Sequence, residues 1–168
     1  MRPGRPAWKA VVARFGRGIL RDDRTIDRAR LGPIVFADPA ARRFLGRLVH
    51  PLVLAEHERA ARRLERAGGG RPRILVVEAA LTIEAGYARH YDRVVVVHCG
   101  KAEQLRRLRL RDGLSGREAL RRIGTQMSRR EKLAHADYAI DTTGPLAATV
   151  EQAERLYAQL VRDAELTR

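Results

Sequence analysis

The sequence predicts an α/β fold in which a helical subdomain precedes a parallel sheet. Three observations carry this. Two compact β-branched runs, RILVVEA at 73–79 and RVVVVHC at 93–99, have the composition of strands buried on both faces. A shorter run, YAID at 138–141, adds a third strand, and helical patterns lie between the second and third. The first third of the chain shows only helical signals. Strands alternating with helices pair in parallel, because a parallel partner is reached only through a long crossover.

Each element has its own warrant. Trp8, Val11, Val12 and Phe15 fall at i, i+3, i+4 and i+7 and Gly16 follows, so 6–15 reads as a short amphipathic helix with a glycine stop. Asp38 and Pro39 form an N-cap and first-turn pair. The helix they open runs through Phe44, Leu45 and Leu48 to His50, and Pro51 restarts the chain. A long helix from Leu52 to Ala67 is expected to end at Gly68-Gly69-Gly70, whose backbone lets the chain turn. After the second strand, KAEQLRRLRLRD reads as a helix with Leu105 and Leu108 three apart among arginines. Ser115 with Glu118, and Ser128 with Glu131, have capping-box spacing, so a helix begins at each. From Pro145 a closing helix places Leu146, Val150, Ala153, Tyr157, Leu160 and Val161 on one apolar stripe.

The 168 residues fit a single domain, and 45% apolar content suffices for a core. Thirty-four basic against 20 acidic residues give a formal charge of +14, which favours polyanionic partners such as nucleic acid or phosphorylated small molecules. Only Lys9, Lys101 and Lys132 are lysines, so arginine dominates, and coding composition is a second source of that bias. One cysteine, Cys99, excludes an intrachain disulfide framework and a multi-cysteine zinc site, and suggests a reducing compartment. The longest apolar runs, such as Val94 to Val97, are too short to span a bilayer. The first twenty residues are arginine-rich and free of acids like an organelle transit peptide, yet they lack serine and carry the folded-helix pattern described above.

In such folds ligands collect at the carboxyl ends of the strands. Glu78 and Glu84 flank the turn after the first strand, either as solvated or capping carboxylates or as part of a site. His98-Cys99-Gly100-Lys101 puts glycine and lysine at a strand-to-helix turn, but Val95 stands where a phosphate loop needs its first glycine and Ala102 where it needs Ser or Thr. The glycine run at 68–70 precedes a strand instead of following one. Arg106, Arg107, Arg109, Arg111, Arg117, Arg121, Arg122, Arg129 and Arg130 form a dense run that Glu103, Asp112, Glu118 and Glu131 cannot neutralise. It is either a solvated face or a clamp for polyphosphate, since the guanidinium fork pairs bidentately with phosphate oxygens. His50, His57, His90, His98 and His135 show no metal-ligand spacing, and no metal ligand is assigned in this chain.

Five ordered strings then carry a resemblance: FADPAARRFL at 36–45, LVHPL at 48–52, VVEAALTIEAGY at 76–87, RDGLSGREALRRIGTQM at 111–127 and EKLAHADYAID at 131–141. Together they resemble the dephospho-coenzyme A kinase family over almost the whole chain. The resemblance implies a P-loop kinase fold of the adenylate-kinase type, with a parallel sheet, a helical substrate-binding region and a helical lid. It implies ATP with Mg2+ as cofactors, dephospho-CoA as acceptor, and transfer of the γ-phosphoryl group to the acceptor's 3′-hydroxyl. On this basis residues 1–70 are the dephospho-CoA-binding region, 105–130 the lid, and 71–104 with 131–168 the kinase core. His50 and Glu84 match substrate-binding positions. Arg107 and Arg111 match lid arginines that reach the ATP phosphates. Gln126, Arg129 and Lys132 match the segment returning from lid to core, and Asp141 the aspartate ending the last strand, while Thr142 stands where the family usually has asparagine. A cytoplasmic, membrane-free enzyme is expected, with oligomeric state open.

The family opens with a strand, a Gly-x-x-x-x-Gly-Lys-Ser/Thr loop, its helix and a strand ending in Asp-x-Asp, whereas Pro3 to Trp8 match the region after all of these. A βαβ unit, roughly 30 residues or more, is therefore expected to be missing, making the parallel sheet incomplete and these 168 residues inactive alone. The expected first strand would lie between 73–78 and 93–98, so those two must close together or leave open edges. Two further readings stand beside this one. The chain is a remnant that binds dephospho-CoA or pairs with a separate chain carrying the phosphate loop, or it is a basic nucleic-acid-binding module. The last lacks stacking aromatics, as none falls between Lys101 and Met127.

Overall fold

The structure is a computed structural model and describes residues 1–67, 69 and 73–166. Gly68 and Gly70, named above as a helix stop, lie outside the described residues, as does Pro72. The chain divides into two compact units, Met1–Glu56 and His57–Arg168.

The first unit is helical. Helix α1 spans Pro6–Phe15, with proline in its first turn and Gly16 beyond its end at φ 79°, a conformation that glycine adopts without strain. The Gly16 N–H donates to Val12 O at 2.8 Å. A single 3-10 turn, Arg17–Ile19, leads to a loop closed by the antiparallel bridge Leu20↔Ile26. The Trp8 indole N–H donates to the Arg24 carbonyl in that loop at 2.9 Å. Helix α2, Arg28–Ala37, had no counterpart in the sequence reading. Asp27 caps it by accepting from the Ala29 and Arg30 amides, but Pro33 lies inside it and its apolar residues keep no single face. Val11, Ile19 and Leu31 are buried, with Phe15, Leu20, Ile26, Val35, Phe44, Leu45 and Leu48 packed on them. The Phe15 and Phe44 rings meet edge to face at 5.9 Å.

Helix α3 runs without interruption from Pro39 to Ala67, which corrects the expected restart at Pro51. Proline at that point forfeits one ladder bond and crowds the carbonyl of Arg47, a cost of about 3 kcal/mol that long helical sequence on both sides outweighs. Asp38 caps its start as expected, accepting from the Ala40 amide at 2.7 Å.

In the second unit strand β1 (Val95–His98) pairs in parallel with strand β2 (Tyr138–Asp141), Val95 opposite Tyr138 and His98 opposite Asp141. The crossover holds helices α4 (Lys101–Asp112), α5 (Gly116–Ile123) and α6 (Arg129–Leu133). Both expected capping boxes form, Ser115 with Glu118 and Ser128 with Glu131. Gly113 ends α4 in the left-handed conformation.

Two expectations fail here. The run at 73–79 forms no strand, and Val76 is 81% exposed. A parallel strand needs a neighbour offering N–H and C=O groups along its length, and among the described residues the only ladder joins β1 to β2. Helix α7 (Leu146–Leu166) forms, but of its expected core stripe only Leu160 and Val161 are half-buried, while Leu146 is 77% and Tyr157 62% exposed. Its half-buried positions mix apolar Leu156, Leu160 and Val161 with polar Gln152 and Asp163. The Gln152 amide brackets the outer edge of β2, donating to Asp141 O at 2.9 Å and accepting from Asp141 N at 3.0 Å. Near the other end Asp163 accepts from the Tyr138 hydroxyl at 2.7 Å.

Candidate functional site

The carboxyl ends of β1 and β2 place His98 and Asp141 side by side. Asp141 Oδ1 lies 3.9 Å from His98 Nδ1 and accepts from the Thr143 amide at 2.8 Å. Hydrogen bonds from Thr143 first, then the charges of His98 and Arg129, hold the Asp141 carboxyl below its ordinary range. Thr143 also ties across to the first turn of α4, where its hydroxyl accepts from the Gly100 amide at 2.9 Å.

Arg107 comes to this end from α4. Its Nη1 donates to the Thr142 hydroxyl at 3.0 Å, its Nη2 to the Thr142 carbonyl at 2.5 Å, and its Nε to Glu103 at 2.6 Å. Glu103 holds Arg106 as well, through two bonds of 2.7 and 2.8 Å. The two guanidinium groups, Arg106 first, bring the Glu103 carboxyl down to about 2. Arg111 is turned elsewhere. It pairs with Asp112, which also accepts from Arg122 at 2.8 Å.

The four acids of the arginine run are therefore all committed, two to pairs of arginines and two to capping boxes. Among the described residues Arg109, Arg117 and Arg130 have no ion-pair partner. Their charge is available to an anion.

A second cluster joins the loop after 73–79 to the start of α6. Lys132 Nζ lies 2.9 Å from Glu84 Oε1 and donates to Gln126 Oε1 at 3.1 Å and Ala80 O at 3.2 Å. Glu84 also accepts from the Met127 amide at 3.2 Å, while its Oε2 is buried without a hydrogen-bond partner. Glu84, Gln126 and Lys132 thus meet, as do Arg107 and the end of β2, with Arg129 close enough to act on Asp141. His50 belongs to the first unit, on α3, where its ring lies against Gly46; a Cβ there would sit 3.3 Å from His50 Cε1. Glu103 and Asp112 were missed as organisers of the arginines. The first has a local signal in its i+3 and i+4 spacing to Arg106 and Arg107, the second none, because Arg122 comes from another helix.

The sequence profile of the dephospho-CoA kinase family matches residues 1–148. The chain belongs to that family. It is 41% identical over 167 residues to a dephospho-CoA kinase of Syntrophus aciditrophicus, an alignment covering 99% of this chain and 70% of that one. With the dephospho-CoA kinase of Symbiobacterium thermophilum it shares 44% over 152 residues, 90% of this chain and 62% of the relative. The structure superposes on the dephospho-CoA kinase of Campylobacter jejuni with a TM-score of 0.59 at 27% identity, covering 91% of this chain and 75% of that one. The fold is accordingly that of the P-loop kinases, and the family's place is coenzyme A biosynthesis.

The donor set suits phosphate better than metal. Arg107 docks at the end of β2 and Arg129 acts on Asp141, whereas no three Asp, Glu, His or Cys side chains gather to hold a metal ion among the described residues. Mg2+, which the family implies, is assigned no ligand in this chain.

Proposed function

We propose that the chain serves the family's phosphoryl transfer, from the γ-position of ATP to the 3′-hydroxyl of dephospho-CoA. Residues 1–70 receive the acceptor, with His50 among its contacts, and 105–130 act as the lid over the core of 71–104 and 131–168. Glu84, Gln126, Arg129, Lys132 and Asp141 line the lid-to-core return, and Arg107 and Arg111 take the phosphates, Arg111 after leaving Asp112. The observation that carries this is Arg107 at the carboxyl end of β2, where α/β folds hold their ligands, with unpaired arginines on the neighbouring helices. The 168 residues contain no Gly-x-x-x-x-Gly-Lys-Ser/Thr sequence, so transfer by this polypeptide alone is expected to be slow. Losing even one preorganised transition-state donor costs about 10²–10³ in rate.

A second reading has its own observation. The unladdered 73–79 run and the edge of β1 that has no ladder partner among the described residues favour a strand supplied by a separate chain carrying the phosphate loop. Calorimetry of the 168-residue polypeptide with dephospho-CoA and with ATP tests the proposal, together with an assay for CoA formation. Dephospho-CoA binding with little turnover is the expected result. No binding of either nucleotide would overturn the proposal.

A further inference from the structure

Asp112 is the last residue of α4, and its carboxylate is shared between two helices. From its own helix it takes one edge of Arg111: Nε donates to Oδ1 at 2.8 Å and Nη2 to Oδ2 at 3.2 Å. From α5 it takes Arg122, whose Nη1 donates to Oδ2 at 2.8 Å. Gly113, at φ 65°, turns the chain between the two helices. The hydrogen bonds from Arg111, then the charges of Arg111 and Arg122, hold the Asp112 carboxyl below its ordinary range, so it is an anion at neutral pH.

The two arginines are held unequally. Arg111 is 74% exposed and bonds only Asp112 among the described residues, whereas Arg122 is 31% exposed. The Nε and Nη2 edge of Arg111 is a planar pair that a phosphate accepts bidentately, and two carboxylate oxygens already fill it. The Nη1 and Nη2 edge stays open, but a phosphate there meets Asp112 as a like-charged neighbour across the same guanidinium. At either edge Asp112 is a rival of phosphate. Departure of Arg111 does not strand the carboxylate, because Arg122 keeps its bond to Oδ2 and a carboxylate with a charged partner avoids the penalty of an unpaired one.

We propose that Asp112 is a built-in competitor for phosphate at Arg111: it occupies that guanidinium in the resting lid, yields it to a bound phosphate, and stays with Arg122. The inference rests on Arg111 being a phosphate ligand. The exchange sets a threshold, since an anion held by Arg111 alone gains little over the carboxylate it replaces, whereas a polyphosphate held at several points gains more.

The test uses the full chain and inorganic tripolyphosphate, followed by calorimetry and by arginine side-chain 15N–1H NMR. Asp112→Asn keeps the shape and removes the charge. It should tighten tripolyphosphate binding about two- to fivefold, the range of one exposed ion pair, and most of that gain should vanish when Arg111→Ala is present as well. In the wild type the Arg111 Nε–H signal, identified by its loss in Arg111→Ala, should move on titration as its bond to Asp112 is exchanged for phosphate. If that signal does not respond, the phosphate-ligand reading of Arg111 fails and the competitor with it. If it responds but Asp112→Asn leaves binding unchanged or weaker, Asp112 steadies Arg111 instead of competing, and only the competition is overturned. A gain of equal size with and without Arg111 is a general effect of lid charge and likewise overturns it. Asp112→Ser, a smaller acceptor for Arg122, is read by the same criteria where Asp112→Asn does not fold. Failure of both to fold would assign Asp112 to holding the two helices together and overturn the exchange.

Discussion

Glu103 sets the behaviour of two arginines from one carboxylate, and its protonation is therefore visible in the whole protein. Arg106 and Arg107 bring its carboxyl to about 2 in the folded state, against about 4.3 in an unfolded chain. A folded value below the unfolded one means the interaction stabilises fully above about pH 4.3 and is lost as pH falls through about 2. Melting temperature should decline across that window, and Glu103→Gln should make the decline shallower while lowering stability little at pH 7, since both arginines are largely exposed. Identical acid profiles for the two proteins would contradict this. Sequence spacing shows such a pair on a helix, because i+3 and i+4 neighbours share a face. The spacing has no means of showing that Arg107 also reaches Thr142, which lies 35 residues away and becomes a neighbour only through the register of His98 with Asp141.

Elements set by local chemistry were legible, and those set by what they pack against were not. The capping boxes at Ser115 and Ser128 and the glycine stop of α1 depend on residues within a few positions of each other. Helix α7 was legible as a helix, but its ties to β2 through Gln152 and Asp163 were not, and the first part of the apolar stripe that marks it in the sequence, Leu146, Val150 and Tyr157, is exposed. Gln152 deserves a specific test, because its amide imitates the peptide group of a neighbouring strand and closes the edge of β2 at Asp141. Gln152→Leu keeps similar bulk and leaves an N–H and a C=O of Asp141 without that partner. The expected loss is about 1–3 kcal/mol, with concentration-dependent association in sedimentation as the opened edge finds other chains. A variant that melts with the wild type and stays monodisperse at the same concentrations would show that the bracket does not protect the edge.

The second unit has an apolar sequence whose expected burial is only partly realised. Among its described residues only Val96, Ala119 and Ile140 are buried apolar side chains, while Val76, Val97, Leu110, Leu146 and Tyr157 are mostly exposed. The first unit, by contrast, gathers Val11, Ile19 and Leu31 under a shell of seven partly buried side chains. Burial of apolar area contributes about 25 cal/mol per Å2, so side chains left in water contribute little toward the entropy cost of ordering the chain. Low stability is expected, together with a shallow response to denaturant, because that slope follows the surface newly exposed on unfolding. In urea the slope should fall below about 1.5 kcal/mol/M, in the lower part of the range for small proteins although the chain has 168 residues. The RILVVEA run shows what local composition leaves undecided. Its composition satisfies every local criterion for a buried strand, yet a strand exists only beside another, and the described residues offer it none. Peptide strands added in trans should then raise the urea midpoint only if they pair with 73–79 or β1, which protection of the amides at 74–78 and 95–97 from hydrogen exchange would reveal. A steep, single urea transition with a slope of about 2.5 kcal/mol/M or more for the chain alone would mean that the apolar residues exposed here are buried in solution.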